Sequence, residues 1–133
     1  MTLNEIVNNF IAEINEEYTA VEGTCFEVDF MEYVINYTAN NEADNFSADF
    51  MARFPVATGL NPFTLSLLHE VGHLETEDEI IDDTEERNAI TDPAEYFNLW
   101  NEVIATEWAG YFIENNFDEV AEFDQAIAEL MGA

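Results

Sequence analysis

Lysine is absent from this chain of 133 residues, and only Arg53 and Arg87 carry a permanent positive charge. Against them stand 30 carboxylates, for a formal net charge of −28. Nucleic-acid binding rests on phosphate neutralisation by clustered Lys and Arg, so this composition argues against it. Anionic membrane surfaces would repel the chain for the same reason. Cysteine is nearly absent too. Cys25 alone can form no internal disulfide, which fits a reducing compartment, and a small side chain of this kind is expected to be buried. No apolar run approaches membrane-spanning length, and the opening Met-Thr-Leu-Asn-Glu lacks the basic start and apolar run of a signal peptide. A soluble, cytoplasmic protein is the expectation.

Apolar residues make up 48% of the sequence and aromatics 14%, too much for an intrinsically disordered chain. The length suits a single domain over residues 1–133, with one core. The natural attractants for such a surface are divalent cations and basic proteins or peptides, and a general halophilic charge effect is the alternative.

Thr2 and Glu5 have capping-box spacing, and Leu3, Ile6, Phe10, Ile14, Tyr18 and Val21 recur every three or four residues behind them. This predicts an amphipathic helix ended by Gly23. Phe26, Val28 and Phe30 alternate with acids and predict a strand, whereas Val34 to Thr38 suits strand or helix. Asn40 to Asn45 reads as a polar connector. Phe46, Phe50 and Phe54 read as a short helix before Pro55, and Phe54 to Leu60 as a loop. Asn61 and Pro62 have the chemistry of a helix start, and that helix is expected to run to about Leu74. Glu75 to Arg87 reads as a solvated acidic loop. Asp92-Pro93-Ala94-Glu95 opens another helix, expected to reach about Asn115, and a last one near Phe117 to Met131 packs Val120, Phe123, Ile127 and Leu130.

His69 and His73 are the only histidines, four residues apart, in the run His69-Glu70-Val71-Gly72-His73. On a helix this spacing stacks both imidazoles on one side, where they can reach one metal ion. Glu70, rotated about 100° from His69, is placed to act on a water rather than to share the coordination. Phe63, Leu67, Val71 and Leu74 form the main apolar stripe, with the histidines nearly opposite, beside Gly72. A glycine inside a helix costs about 1 kcal/mol relative to Ala, so it implies the close approach of another backbone or a substrate. Catalytic zinc takes three protein ligands and keeps an open position. With no third histidine, the remaining ligand is a carboxylate. On the helix after Pro93 the main stripe is Phe97, Trp100, Ile104, Trp108 and Tyr111. Glu102 falls on another side with Ala105, Ala109 and Ile113, where an unpaired carboxylate is expensive to bury. Glu102 is preferred as third ligand, and Glu107 is the alternative.

His69 to Leu74, followed some thirty residues later by Asn101 to Ala109, resembles the two-motif signature of minimal gluzincin-type zinc metallopeptidases. The likeness is to ImmA/IrrE-like peptidases of phage and mobile elements and to minigluzincins. It spans about Leu65 to Tyr111. It implies an α+β, mostly helical zincin-like fold, with a short β-sheet packed against the His-Glu-x-x-His helix and a following ligand-bearing helix. It further implies Zn²⁺ on His69, His73 and Glu102, a small residue at Ala105, Thr106 as the polar partner of a ligand, and Trp108-Ala109 as the aromatic-Ala pair. Thr106 departs from the usual Asp or Asn. Tyr96 and Tyr111 are the candidates for stabilising developing negative charge. The implied function is peptide-bond hydrolysis by a zinc-held water that Glu70 activates, on a protein or peptide substrate that the negative field would favour as basic. The alternative is an acidic nucleic-acid mimic or inhibitor that binds a basic host protein, with a structural or relic metal site.

Overall fold

The computed structural model describes residues 1–39 and 44–131. Its first helix, α1 (Leu3–Ile14), starts with the expected capping box: Glu5 N–H donates to Thr2 Oγ1, and the Glu5 carboxylate accepts from Thr2 N–H. The helix stops well before Gly23. Tyr18 and Val21 belong to the approach and body of a strand, β1 (Thr19–Glu22), so the three-to-four periodicity ends at Ile14. Asn8 of α1 ties the two together, its amide donating to Ala20 O at 2.9 Å and its Oδ1 accepting from Ala20 N–H at 2.8 Å.

Strands β2 (Glu27–Asp29) and β3 (Val34–Tyr37) complete a mixed sheet of order β1-β3-β2. β3 lies parallel to β1 and antiparallel to β2, which settles the ambiguous stretch as strand. Cys25 corrects an expectation: it lies exposed in the bend between β1 and β2 rather than buried.

Of the expected connector, residues 40–43 lie outside the described residues, and Asp44 and Asn45 already belong to α2 (Asp44–Arg53). A short 3-10 turn (Pro55–Ala57) leads to α3 (Pro62–Glu75), the helix that carries both histidines. Asn61 occupies its cap position but makes no side-chain capping bond. Asp124, from the last helix, supplies the acceptor instead: Asn61 N–H donates to its Oδ1 at 2.9 Å, and the Thr64 hydroxyl donates to the same oxygen. A carboxylate there also faces the positive end of the helix dipole.

The acidic stretch after α3 is more ordered than a solvated loop. It holds a 3-10 turn (Glu77–Glu79) and α4 (Thr84–Asn88). The helix expected from Pro93 to Asn115 is two, α5 (Pro93–Tyr96) and α6 (Trp100–Asn115). Tertiary bonds redirect the chain between them: Arg53 Nη2 reaches Asn98 Oδ1 at 2.8 Å and Trp100 Nε1 donates to Glu79 O at 3.0 Å. Helix α7 (Phe117–Met131) packs on α1, with Phe10 and Phe123 stacked at 4.0 Å, while Leu130 stays exposed.

The fold is mostly helical α+β, as expected. One apolar cluster runs from α1 through the sheet, α2 and α3 to α6 and α7. α3 lies at its centre, buried nearly all round, and its most extensive partner is α6. The face α6 turns inward also corrects an expectation. Trp100 and Tyr111, placed on the main stripe by periodicity, are 49% and 54% exposed, whereas Glu102, Ala105, Thr106, Ala109 and Ile113 are buried. Small side chains let α6 come close, and α3 makes the matching concession at Gly72. A methyl group there would run into the Ala105 carbonyl oxygen and lie 3.0 Å from its carbon. Among the described residues, no helix is long and apolar enough to cross a membrane.

Candidate metal centre

The α3–α6 contact brings three donors to one point. Glu102 Oε1 lies 3.0 Å from His69 Nε2 and 3.2 Å from His73 Nε2. The imidazole rings meet edge to face with centroids 4.6 Å apart. Ligands placed tetrahedrally at 2.0–2.1 Å from zinc are separated by roughly 3.3 Å, close to these spacings. His69, Glu70 and His73 offer ligand atoms within 4.8 Å of one another, so this group could hold a metal ion. Glu107, the alternative carboxylate, is exposed and takes no part.

Thr106, one turn after Glu102, places Oγ1 2.9 Å from His69 Nδ1. A hydroxyl can donate or accept, so it serves either tautomer of His69. With Nε2 turned to a cation, Nδ1–H donates to Thr106, the arrangement that orients a metal-bound histidine.

Electrostatics differ from group to group. Burial pushes His69 down, which favours the neutral imidazole a metal needs. His73 is pushed down by burial and up by its hydrogen bond to Glu102 and the neighbouring carboxylates, and the upward causes win. Burial also raises Glu102, but its bonds to both histidines outweigh this and hold it well below the usual carboxylate range. Glu70 has no such partners: burial, with Glu102 and Glu27 nearby, pushes it up to about 7, against the pull of His73. A carboxyl that gains and loses its proton near neutrality is well suited to general acid–base work.

The group opens onto a cleft with two lobes. One, of about 250 Å³, is walled by Glu27 and Val28 of β2, by Phe26 and Phe30 beside it, and by Ile80, Arg87 and Asn101. The other, of about 180 Å³, is walled mainly by Phe26, Phe46 and Phe97. Glu70, Tyr96 and Glu102 line both. Of the two tyrosines considered for charge stabilisation, Tyr96 is therefore at the site. Tyr111 is not: it packs edge-on against Phe54 on the outside of α6.

Arg87 is the site residue that sequence reasoning missed. Its Nη2 donates to Glu102 Oε2 at 3.2 Å, and Asp83 grips it at two points, Nη2–Oδ2 2.8 Å and Nε–Oδ1 3.2 Å. The one available signal was a lone cation inside a run of acids.

Comparison with protein-family models, with curated proteins and with solved structures finds no match for this chain. The functional reading therefore rests on the geometry of the site.

Proposed function

We propose that this chain is a zinc-dependent peptidase in which His69, His73 and Glu102 hold the ion and Glu70 is the general base. The observation that carries the reading is the meeting of two imidazoles and one carboxylate at hydrogen-bonding separation, beside a further carboxylate on the same cleft. The donor set favours a transition-metal ion such as zinc over magnesium and calcium, which prefer oxygen ligands alone. When bound, zinc acts as a Lewis acid that lowers the pKa of water and polarises a carbonyl.

The chain's own groups account for the rest. Glu70, unligated and facing both lobes, accepts the proton of the attacking water and returns it to the leaving amine. The Tyr96 phenol, which burial and the Glu102 charge push up to about 12, stays protonated and can donate to an oxygen that gains negative charge. A peptide lying along edge strand β2 would put one side chain between Phe46 and Phe97 and others near the exposed Glu27 of the cleft wall. Peptides with an apolar residue flanked by basic ones are the expected substrates.

The test is a zinc titration of metal-free protein together with hydrolysis of a peptide library. Zinc should bind at one per chain, and Glu70→Gln should keep that binding while lowering the hydrolysis rate by about 10² to 10⁴. A second reading is favoured by the exposed carboxylates of Glu77, Asp78, Glu79, Asp82, Glu85 and Glu86: an acidic module that occupies a basic partner's phosphate-binding surface, with the metal site structural or inherited. It predicts that zinc-loaded protein cleaves nothing, and that binding to a basic partner survives Glu70→Gln and weakens when Glu77, Asp78 and Asp82 are neutralised.

A further inference from the structure

A carboxylate ligand can bind a metal through one oxygen or through both, and the choice decides whether a coordination position stays open for a reactant. In this site the two oxygens of Glu102 have different partners. Oε1 faces both histidine Nε2 atoms, at 3.0 and 3.2 Å. Oε2 faces away from them, toward Arg87 Nη2 at 3.2 Å. That guanidinium is itself fixed. Asp83 holds it at two points, the Tyr96 ring lies 5.1 Å from its central carbon, and its side chain is only 38% exposed.

The anchor behind Arg87 is built into the fold. Asp83 is buried and receives a bond from Asn101 Nδ2 at 3.3 Å. Asn101 bonds the Ile81 backbone twice, its Oδ1 accepting from Ile81 N–H at 2.9 Å and its Nδ2 donating to Ile81 O at 2.8 Å. Residue 101 thus positions the segment that brings in Arg87, and residue 102 receives it. In a chain with only two cations, one is spent on the far oxygen of a buried carboxylate.

We propose that Arg87 is a positioning residue that restricts Glu102 to one-oxygen coordination and so keeps the fourth position of the metal centre open. The inference rests on the metal-centre reading above. A rigid guanidinium fork suits the task, because its planar donors can engage Asp83 and Glu102 at once.

Cobalt(II) reports on coordination number through its visible spectrum and allows the test without any substrate. Wild-type protein loaded with one cobalt per chain should give the intense absorption of a four-coordinate ion. Arg87→Met frees Oε2, so its cobalt spectrum should weaken and shift toward the five-coordinate form. Asp83→Asn, which loosens the guanidinium without removing it, should change the spectrum in the same direction by less. Far-UV circular dichroism and the unfolding midpoint verify that each variant is folded, and Asp83→Asn carries the test if Arg87→Met does not fold. Spectra of the folded variants that superimpose on wild type, or a wild-type spectrum already five-coordinate with both Glu102 oxygens bound, would overturn the role of Arg87. A wild-type protein that takes up no cobalt, or takes it up equally well after His73→Ala, would instead remove the metal centre itself.

Discussion

At the scale of single residues, the centre depends on which atom each side chain offers. Thr106 is the sharpest case, because among the described residues its hydroxyl is the only hydrogen-bonding partner of His69 Nδ1, and both groups are buried. Thr106→Val keeps the shape and removes the partner. The free protein should lose about 1–3 kcal/mol of stability from the unsatisfied nitrogen. Zinc affinity should fall by about 10- to 100-fold, as expected when a residue that orients a ligand is lost. Isothermal titration on the folded variant measures the second effect independently of the first. Tyr18 makes a different prediction, remote from the metal. Its hydroxyl donates to Glu75 Oε2 at 3.2 Å, and burial together with the Glu75 charge pushes the phenol up to about 12. The ordinary phenol value is about 10, so the folded chain holds this proton more tightly than the unfolded chain does. The associated stability is fully present below pH of about 10 and is lost as the pH rises towards 12. Tyr18→Phe should cost about 1 kcal/mol at neutral pH and flatten that alkaline decline, as urea unfolding at a series of pH values would show.

At the scale of elements, the centre is a consequence of how closely two helices approach. Gly72 faces the Ala105 carbonyl, and three residues before Ala105 stands Glu102, so this close approach sets how far Glu102 reaches toward the histidines. Gly72→Ala would favour α3 by about 1 kcal/mol in helix propensity. It would also force apart two backbones that have no flexible side chain to yield, at a cost of about 1–3 kcal/mol. We expect a net loss of stability and a larger proportional loss of zinc affinity, measured by thermal unfolding and by competition with a chromogenic chelator. The same elements show what could be read from the sequence. The capping box at Thr2, the start at Pro62, the histidine spacing and the turn of Glu102, rather than Glu107, toward the histidines all follow from local chemistry, and each appears in the fold. Failures came where a distant partner decides the outcome. Tyr18 and Val21 fit a helical period, yet pairing with β3 makes β1 a strand. No glycine or proline marks the break before Trp100, because bonds from Arg53 and Trp100 impose it. The aromatic stripe of α6 misled for a related reason: between closely packed helices, small residues decide which face turns inward. Arg87 was illegible because its partners, Asp83 and Glu102, lie four and fifteen residues away and meet only after α4 and α6 have docked.

At the scale of the whole molecule, a formal charge of −28 on 133 residues acts on stability and on recognition at once, and salt separates the two. Like charges crowded on a folded surface repel one another more than they do along an extended chain, so the charge opposes folding. The field that opposes folding also draws cations to the cleft, whose wall includes the exposed Glu27 and reaches Ile80, the residue after the exposed acids Glu77, Asp78 and Glu79. Raising sodium chloride from about 0.01 M to about 1 M shrinks the screening length from about 30 Å to about 3 Å. Thermal stability should therefore rise across this range. Over the same range kcat/KM for a basic peptide should fall, through KM rather than kcat, because the field steers the encounter and leaves the buried donors untouched. A neutral peptide with the same apolar residue should keep its KM. These opposite responses distinguish a surface charge that recruits substrate from one that only confers solubility. If KM is independent of salt for both peptides, the exposed acids have no part in binding, and the substrate preference rests on the Phe46 and Phe97 lobe alone.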